Sequence, residues 1–111
     1  MELRQQEAHI LAHVQPLLHE HRLLPEHWRI LAVLDEHPGT TMTTLAAAAV
    51  VPAASLTRHV DTLVERSLVV RRVHPDDRRR AVLALSSRGL DLSQLLHRAE
   101  SDVASPVNAL S

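Results

Sequence analysis

The stretch from Ser55 to Ser86, SLTRHVDTLVERSLVVRRVHPDDRRRAVLALS, constrains the fold of this chain most, because three local patterns follow one another there without a gap. Leu56, Val60, Leu63 and Val64 recur at helical spacing, which predicts a short amphipathic helix with Ser55, Arg58 and Thr62 turned outward. Leu68 to Val73 is too β-branched and too short to continue that helix. Ala81 to Leu85 is a second apolar run of the same size, so the two are expected to pair as strands. Between them, His74-Pro75-Asp76-Asp77-Arg78-Arg79 holds Pro and Asp residues that favour a turn.

A helix feeding a two-stranded ribbon with an arginine-loaded tip is the layout of a winged helix-turn-helix, one element for a DNA major groove and one for an adjacent minor groove. The net charge of −1 hides the asymmetry this layout needs. Residues 1–57 hold three Arg against six acidic residues, residues 58–80 hold seven against four, and residues 81–111 hold two against three. All of the positive excess therefore lies in the helix and ribbon, where phosphates would be met. Every basic residue besides histidine is Arg, which suits bidentate contacts to guanine or phosphate, although an all-Arg choice equally fits codon bias.

Several ordered pieces of the chain resemble one family. Leu56-Thr57-Arg58, then Val60, Asp61 and Leu63, then Glu65-Arg66 and Leu68-Val69 are similar to the recognition helix of MarR-type transcriptional regulators. Asp77-x-Arg79, with Leu85-Ser86 and Gly89 beyond it, resembles that family's wing signature, and Trp28-Arg29-Ile30-Leu31 its second helix. The resemblance covers roughly residues 22 to 90, and ordered pieces are far more specific than one short motif. It implies a homodimeric DNA-binding repressor released by an effector, built as a mainly α fold with a small two-stranded β-wing. Helices at both ends would form the dimerisation region: residues 1–24 as its N-terminal helix, 25–86 as the DNA-binding lobe and 87–111 as the C-terminal helix.

Taken in order, the chain predicts a first helix over about residues 2–23, with Ile10, Leu11, Val14, Leu17, Leu18 and Leu24 as its stripe and a kink or later start at Pro16. Pro25 is placed for the first turn of a second helix to about Glu36, with Leu31 and Leu34 inward and Trp28 buried. His37-Pro38-Gly39 ends it. Thr41 is the expected N-cap of a third helix, Met42 to Ala49. The last helix is expected from a Ser87 cap to about Ser105, carrying Leu90, Leu92, Leu95, Leu96, Ala99 and Val103, and Ser105-Pro106 stops it. Five residues follow Pro106, where the resembled family carries a further helix. A short member, a truncated chain or a smaller interface is the expectation.

The turn before the recognition helix departs from the resembled pattern. Ala49-Val50-Val51-Pro52 stands where that family usually has a leucine, a glycine, an apolar residue and a capping serine. Val50 resists a left-handed conformation and Pro52 offers no side-chain cap, so the turn must be built differently or carry strain. The hydroxyl contacts usual near positions 52–54 are missing as well. Ser55, Thr57, Arg58, His59 and Thr62 are then the helix candidates for DNA contact, and Arg71, Arg72, Arg78, Arg79 and Arg80 the ribbon candidates, with Asp77 supporting the turn. Plainer readings stand beside these. Arg58 has Asp61 or Thr62 within reach on its own helix, and Arg79 has Asp77 to brace.

Nine histidines raise metal binding. His9 and His13, at i and i+4, are weak candidates, but most of the histidines read as solvated and no metal or other cofactor is expected. His19, His21 and His27 are better placed to tune a dimer interface by protonation. With Trp28 the sole aromatic residue, an effector site would be aliphatic and near Trp28, Leu31 and the first helix. No Ser, His or Asp sits in a hydrolase motif, so an enzyme is not expected. No apolar run approaches the roughly 20 residues of a membrane span, and a soluble cytoplasmic protein without a membrane partner is the default. Cysteine is absent, which excludes disulfides and thiolate sites. The alternative function is a protein-interaction module that keeps the winged helix without binding DNA, favoured by the weakened turn and disfavoured by five Arg between 71 and 80.

Overall fold

Leu56, Val60 and Leu63 are all buried, so the apolar stripe seen in the sequence is the one that seats the helix. In the computed structural model, which describes residues 2–104 and side chains from 8 to 102, that helix is α4, Ala53–Glu65. It follows α1 (Glu2–Glu20), α2 (Pro25–Glu36), β1 (Thr40–Thr41) and α3 (Met42–Ala49), and precedes β2 (Val69–Val73), β3 (Ala81–Leu85) and α5 (Ser87–Ala104). One core joins them: Val14 and Leu18 of α1, Ile30, Leu31 and Leu34 of α2, Leu45 of α3, Leu83 of β3 and Leu96 of α5 are all within it. Each such leucine, fully buried, contributes about 1.5–3 kcal/mol relative to leaving it in water. α1 and α2 both pack on α5, and α3 packs on α4.

With only two glycines in the chain, three helices end on left-handed residues that carry a Cβ. Arg22, Val50 and Ser67 have φ of 55°, 54° and 62°. In each case the following residue donates its N–H five residues back, Leu23 to Leu18, Val51 to Ala46 and Leu68 to Leu63, which satisfies a helix-end carbonyl in the Schellman manner. The strain expected at the turn before α4 is therefore real. It is greatest at Val50, a β-branched residue in a conformation that disfavours any Cβ.

The sheet is antiparallel in the order β1-β3-β2, with Thr40 opposite Leu83 and Val69 opposite Leu85. The sequence predicts only the β2–β3 ribbon, since a two-residue strand has no periodicity to read. Thr40 enters the sheet because Gly39, at φ +84°, turns the chain after α2 and donates to the Leu83 carbonyl at 2.9 Å.

Several local expectations change. α1 runs through Pro16 to Glu20, and Leu23 rather than Leu24 joins the core, because the left-handed Arg22 rotates the chain. Trp28 is only partly buried. Ser86, not Ser87, caps α5: its Oγ accepts from the Gly89 N–H at 3.0 Å and donates to the Ser67 carbonyl at 2.5 Å. Gly89 itself is required by packing, since a Cβ there would stand 1.9 Å from the Leu68 carbonyl oxygen. The Ser105-Pro106 stop and the Val103 side chain lie outside the described residues.

Candidate DNA-binding surface

α4 presents its N-terminal half outward through Ala53, Ala54, Thr57 and Arg58, all exposed, while Ser55 and Thr62 are half-buried. The start of α4 has no side-chain cap, as Pro52 implies. The Ser55 hydroxyl donates to the Pro52 carbonyl at 3.1 Å, and that of Thr62 donates to the Arg58 carbonyl at 3.0 Å. Both hydroxyls are thus held by the backbone of their own helix.

Arg58 has no acidic partner among the described residues, because the nearby carboxylate is taken: Asp61 Oδ1 accepts from Arg71 Nη2 of β2 at 2.8 Å. The plainer reading of Arg58 as one half of a surface pair with Asp61 does not hold. Its guanidinium remains available. The sequence offered Asp61 only as a partner for Arg58 on the same helix, and the structure gives it to Arg71 instead. Its position on the outer face of α4 was legible, but its partner lies ten residues away on a strand.

The ribbon turn is built by its acidic and histidine residues. His74 and Arg80 close it through a backbone bond of 2.9 Å, and His74 Nδ1 accepts from the Asp76 N–H at 3.0 Å. Asp77 Oδ1 accepts from the Arg79 N–H at 3.0 Å and from Arg79 Nε at 3.3 Å. The backbone bond from Arg79, helped by its side chain and by Arg80 and His74, holds the Asp77 carboxyl below the usual range. Arg79 does brace Asp77, yet its side chain is still 90 % exposed. Arg72, Arg78 and Arg80 are exposed beside it.

One helix candidate is corrected outright. His59 is buried, with its ring edge-on to His27 at 5.0 Å between centroids, so it cannot reach a groove from this position. The signal was in the spacing: Leu56, His59, Val60 and Leu63 fall at i, i+3, i+4 and i+7, which puts His59 on the apolar stripe. His27 is corrected with it, being inside the protein and not on an outer helix face.

A family model described as MarR family matches residues 23–80, over half of the chain. The chain is a member of the MarR family. No curated protein sequence matches it. Among solved structures, NadR in complex with 4-hydroxyphenylacetate is 25 % identical with a TM-score of 0.87, covering 98 % of this chain and 77 % of that one. A MepR variant from S. aureus bound to an oligodeoxyribonucleotide is 18 % identical with a TM-score of 0.80, covering 98 % and 80 %. A MarR-family regulator from Silicibacter pomeroyi is 23 % identical with a TM-score of 0.81, covering 97 % and 77 %. The winged helix expected of a MarR-type regulator is therefore the fold observed.

Away from this surface, a cleft of about 780 Å³ opens between α1, α2 and the turn before α4, walled by Ile10, Leu11, Trp28 and Val50 with Arg29 and Glu100 at its polar positions. Trp28 lines it as expected, whereas Leu31 is fully buried in the core and does not. Arg29 Nε donates to the Ala49 carbonyl at 2.9 Å, linking the cleft to the end of α3. His9 and His13 are both exposed on α1, and no three His, Asp or Glu among the described residues gather closely enough to hold a metal ion. No described helix is long and apolar enough to cross a membrane.

Proposed function

We propose that this MarR-family protein binds double-stranded DNA as a homodimeric repressor and that a small molecule in the Trp28 cleft releases it. The observation that carries the DNA reading is the pairing of Asp61 with Arg71. It braces the ribbon against the recognition helix while leaving Arg58 unpaired among the described residues and Arg79 nine-tenths exposed. In a dimer built through α1 and α5, two such helices would enter successive major grooves, with Arg58 at a base edge and Thr57 and Ser55 near the phosphates. Arg79 would enter the narrow minor groove at the flank, and Arg72, Arg78 and Arg80 would contact phosphates without reading sequence. NadR with 4-hydroxyphenylacetate, together with the regulation of DNA binding by BpsR of Bordetella bronchiseptica through 6-hydroxynicotinic acid, supports a small-molecule effector.

The reading is tested by selection from a random duplex pool. An enriched inverted repeat, with half-sites about one helical turn apart, is expected. Enrichment of nothing by a protein that is monomeric at the same concentration would favour an interaction module on the same fold.

A further inference from the structure

His27 and His59 form a buried bond between α2 and the recognition helix whose protons can be assigned from geometry alone. The Leu24 N–H, at the start of α2, donates to His27 Nδ1 at 3.0 Å, so that nitrogen is unprotonated and the ring's proton is on Nε2. His27 Nε2 stands 3.3 Å from His59 Nδ1 and must be the donor there. His59 Nδ1 is then the acceptor, and its own proton is on Nε2, which faces Glu26 Oε2 at 3.9 Å. Both rings are neutral, and both basic nitrogens are already engaged.

A further proton therefore has nowhere to go without breaking a bond. On His27 Nδ1 it would oppose the Leu24 N–H, and on His59 Nδ1 it would oppose the His27 N–H, in each case donor against donor. Burial is the main cause that lowers His27 to about 4; the charge His59 would carry if protonated and that of Arg66 at the end of α4 act in the same direction, and Glu26 only partly offsets them. The charged groups facing the pair are thus Arg66 from the end of α4 and Glu26 from α2.

We propose that the His27–His59 bond is a proton-sensitive latch on the recognition helix: when the pair takes up a proton, α4 loses its hydrogen-bonded seat on α2, and affinity for DNA falls. The proposal rests on the DNA-binding reading above and adds regulation to it. The latch lies inside one chain, so it works in monomer and dimer alike. The outward face of α4 and the wing stay chemically unchanged, and only the set of the helix is altered.

The test uses the full chain and two substitutions that keep one half of the bond. His59→Asn places an amide oxygen where Nδ1 stands, an acceptor that does not titrate, and His27→Gln keeps a donor toward His59. Affinity for the enriched duplex is measured by fluorescence anisotropy at fixed salt at pH 7.5 and 4.0. The wild type is expected to lose about twofold more affinity than His59→Asn over this range, as half-protonation of one site at its folded value of about 4 requires, whereas His37→Gln, exposed at the end of α2 and away from the wing, keeps the wild-type loss. Equal losses in wild type and His59→Asn would overturn the latch. Side-chain ¹⁵N NMR of the wild type tests it independently of DNA and of whether either variant folds. Both rings are expected as Nε2–H tautomers, with the α4 amide shifts moving as the pair titrates. An Nδ1–H tautomer at either ring, or titration that leaves the α4 amides still, would sink the proposal even if DNA binding itself were established. Failure to bind any duplex would remove the DNA reading while leaving the NMR result to decide the latch.

Discussion

The Asp61 carboxylate accepts a 2.8 Å bond from the Arg71 guanidinium, joining the outer face of the recognition helix to the first strand of the wing. Both side chains are about half exposed, at 54 % and 42 %, so water and salt screen the pair. Its contribution to stability is about 0.2–1 kcal/mol. The bond matters more for where the wing points than for whether the chain folds. Arg71→Ala should therefore lower the unfolding free energy obtained from urea titration by less than about 1 kcal/mol, while lowering DNA affinity by more than the loss of one phosphate contact explains. Unfolding and binding titrations on the same variant separate the two effects, and a large loss of stability would contradict this division.

Arg58 and Arg79 are expected to fail in different ways. Arg58→Ala should relax preference at one position of each half-site by about 1–3 kcal/mol, the range for a lost bidentate base contact. Arg79→Ala should weaken binding with little change in core sequence, chiefly on A·T-rich flanks. Repeating the duplex selection with each variant reads both outcomes. An unchanged base preference for Arg58→Ala would remove it from direct readout.

Val50 is left-handed, at φ 54°, and 76 % exposed, so its side chain gives little packing in return for its strain. Left-handed geometry costs an ordinary residue roughly 1–2 kcal/mol, and the extra freedom of glycine in the unfolded chain returns about half of that. Val50→Gly should raise stability by about 1 kcal/mol. A thermal melt that moved downward would show that Val50 makes contacts that outweigh the strain.

Acid should destabilise the fold through His27. Its folded value of about 4 lies below the ordinary 6.5, so between these the unfolded chain binds more protons than the folded one. The stabilisation is fully present above pH 6.5 and is lost as the pH falls through 4. Its limit is about 3 kcal/mol, from the free energy of one pKa unit. Urea titrations at pH 7.5 and 4.5 should show this loss in the wild type and a smaller one in His27→Gln.

The recognition helix, the ribbon and the bounds of the second and third helices were legible because each rests on local periodicity or on a single punctuating residue such as Pro25 or Thr41. The strained turn was legible too, since a valine in place of glycine leaves a physical mark on the sequence. What escaped was set by contacts distant in sequence. β1 exists only through Leu83, Asp61 gains its role only from Arg71, and Ser86 becomes the cap because Ser67 and Gly89 converge on it. His59 was misplaced for a different reason. A polar residue type outweighed its position on the apolar stripe, and only the presence of His27 opposite explains why a histidine can occupy that site.

A salt titration of the enriched duplex tests the central claim most directly. With several arginines on phosphates, the logarithm of the binding constant should fall linearly with that of salt, at about −0.9 per neutralised phosphate, and more steeply for wild type than for Arg79→Ala. A flat dependence, or equal affinity for the enriched and a scrambled duplex at every salt concentration, would contradict a sequence-specific DNA-binding regulator.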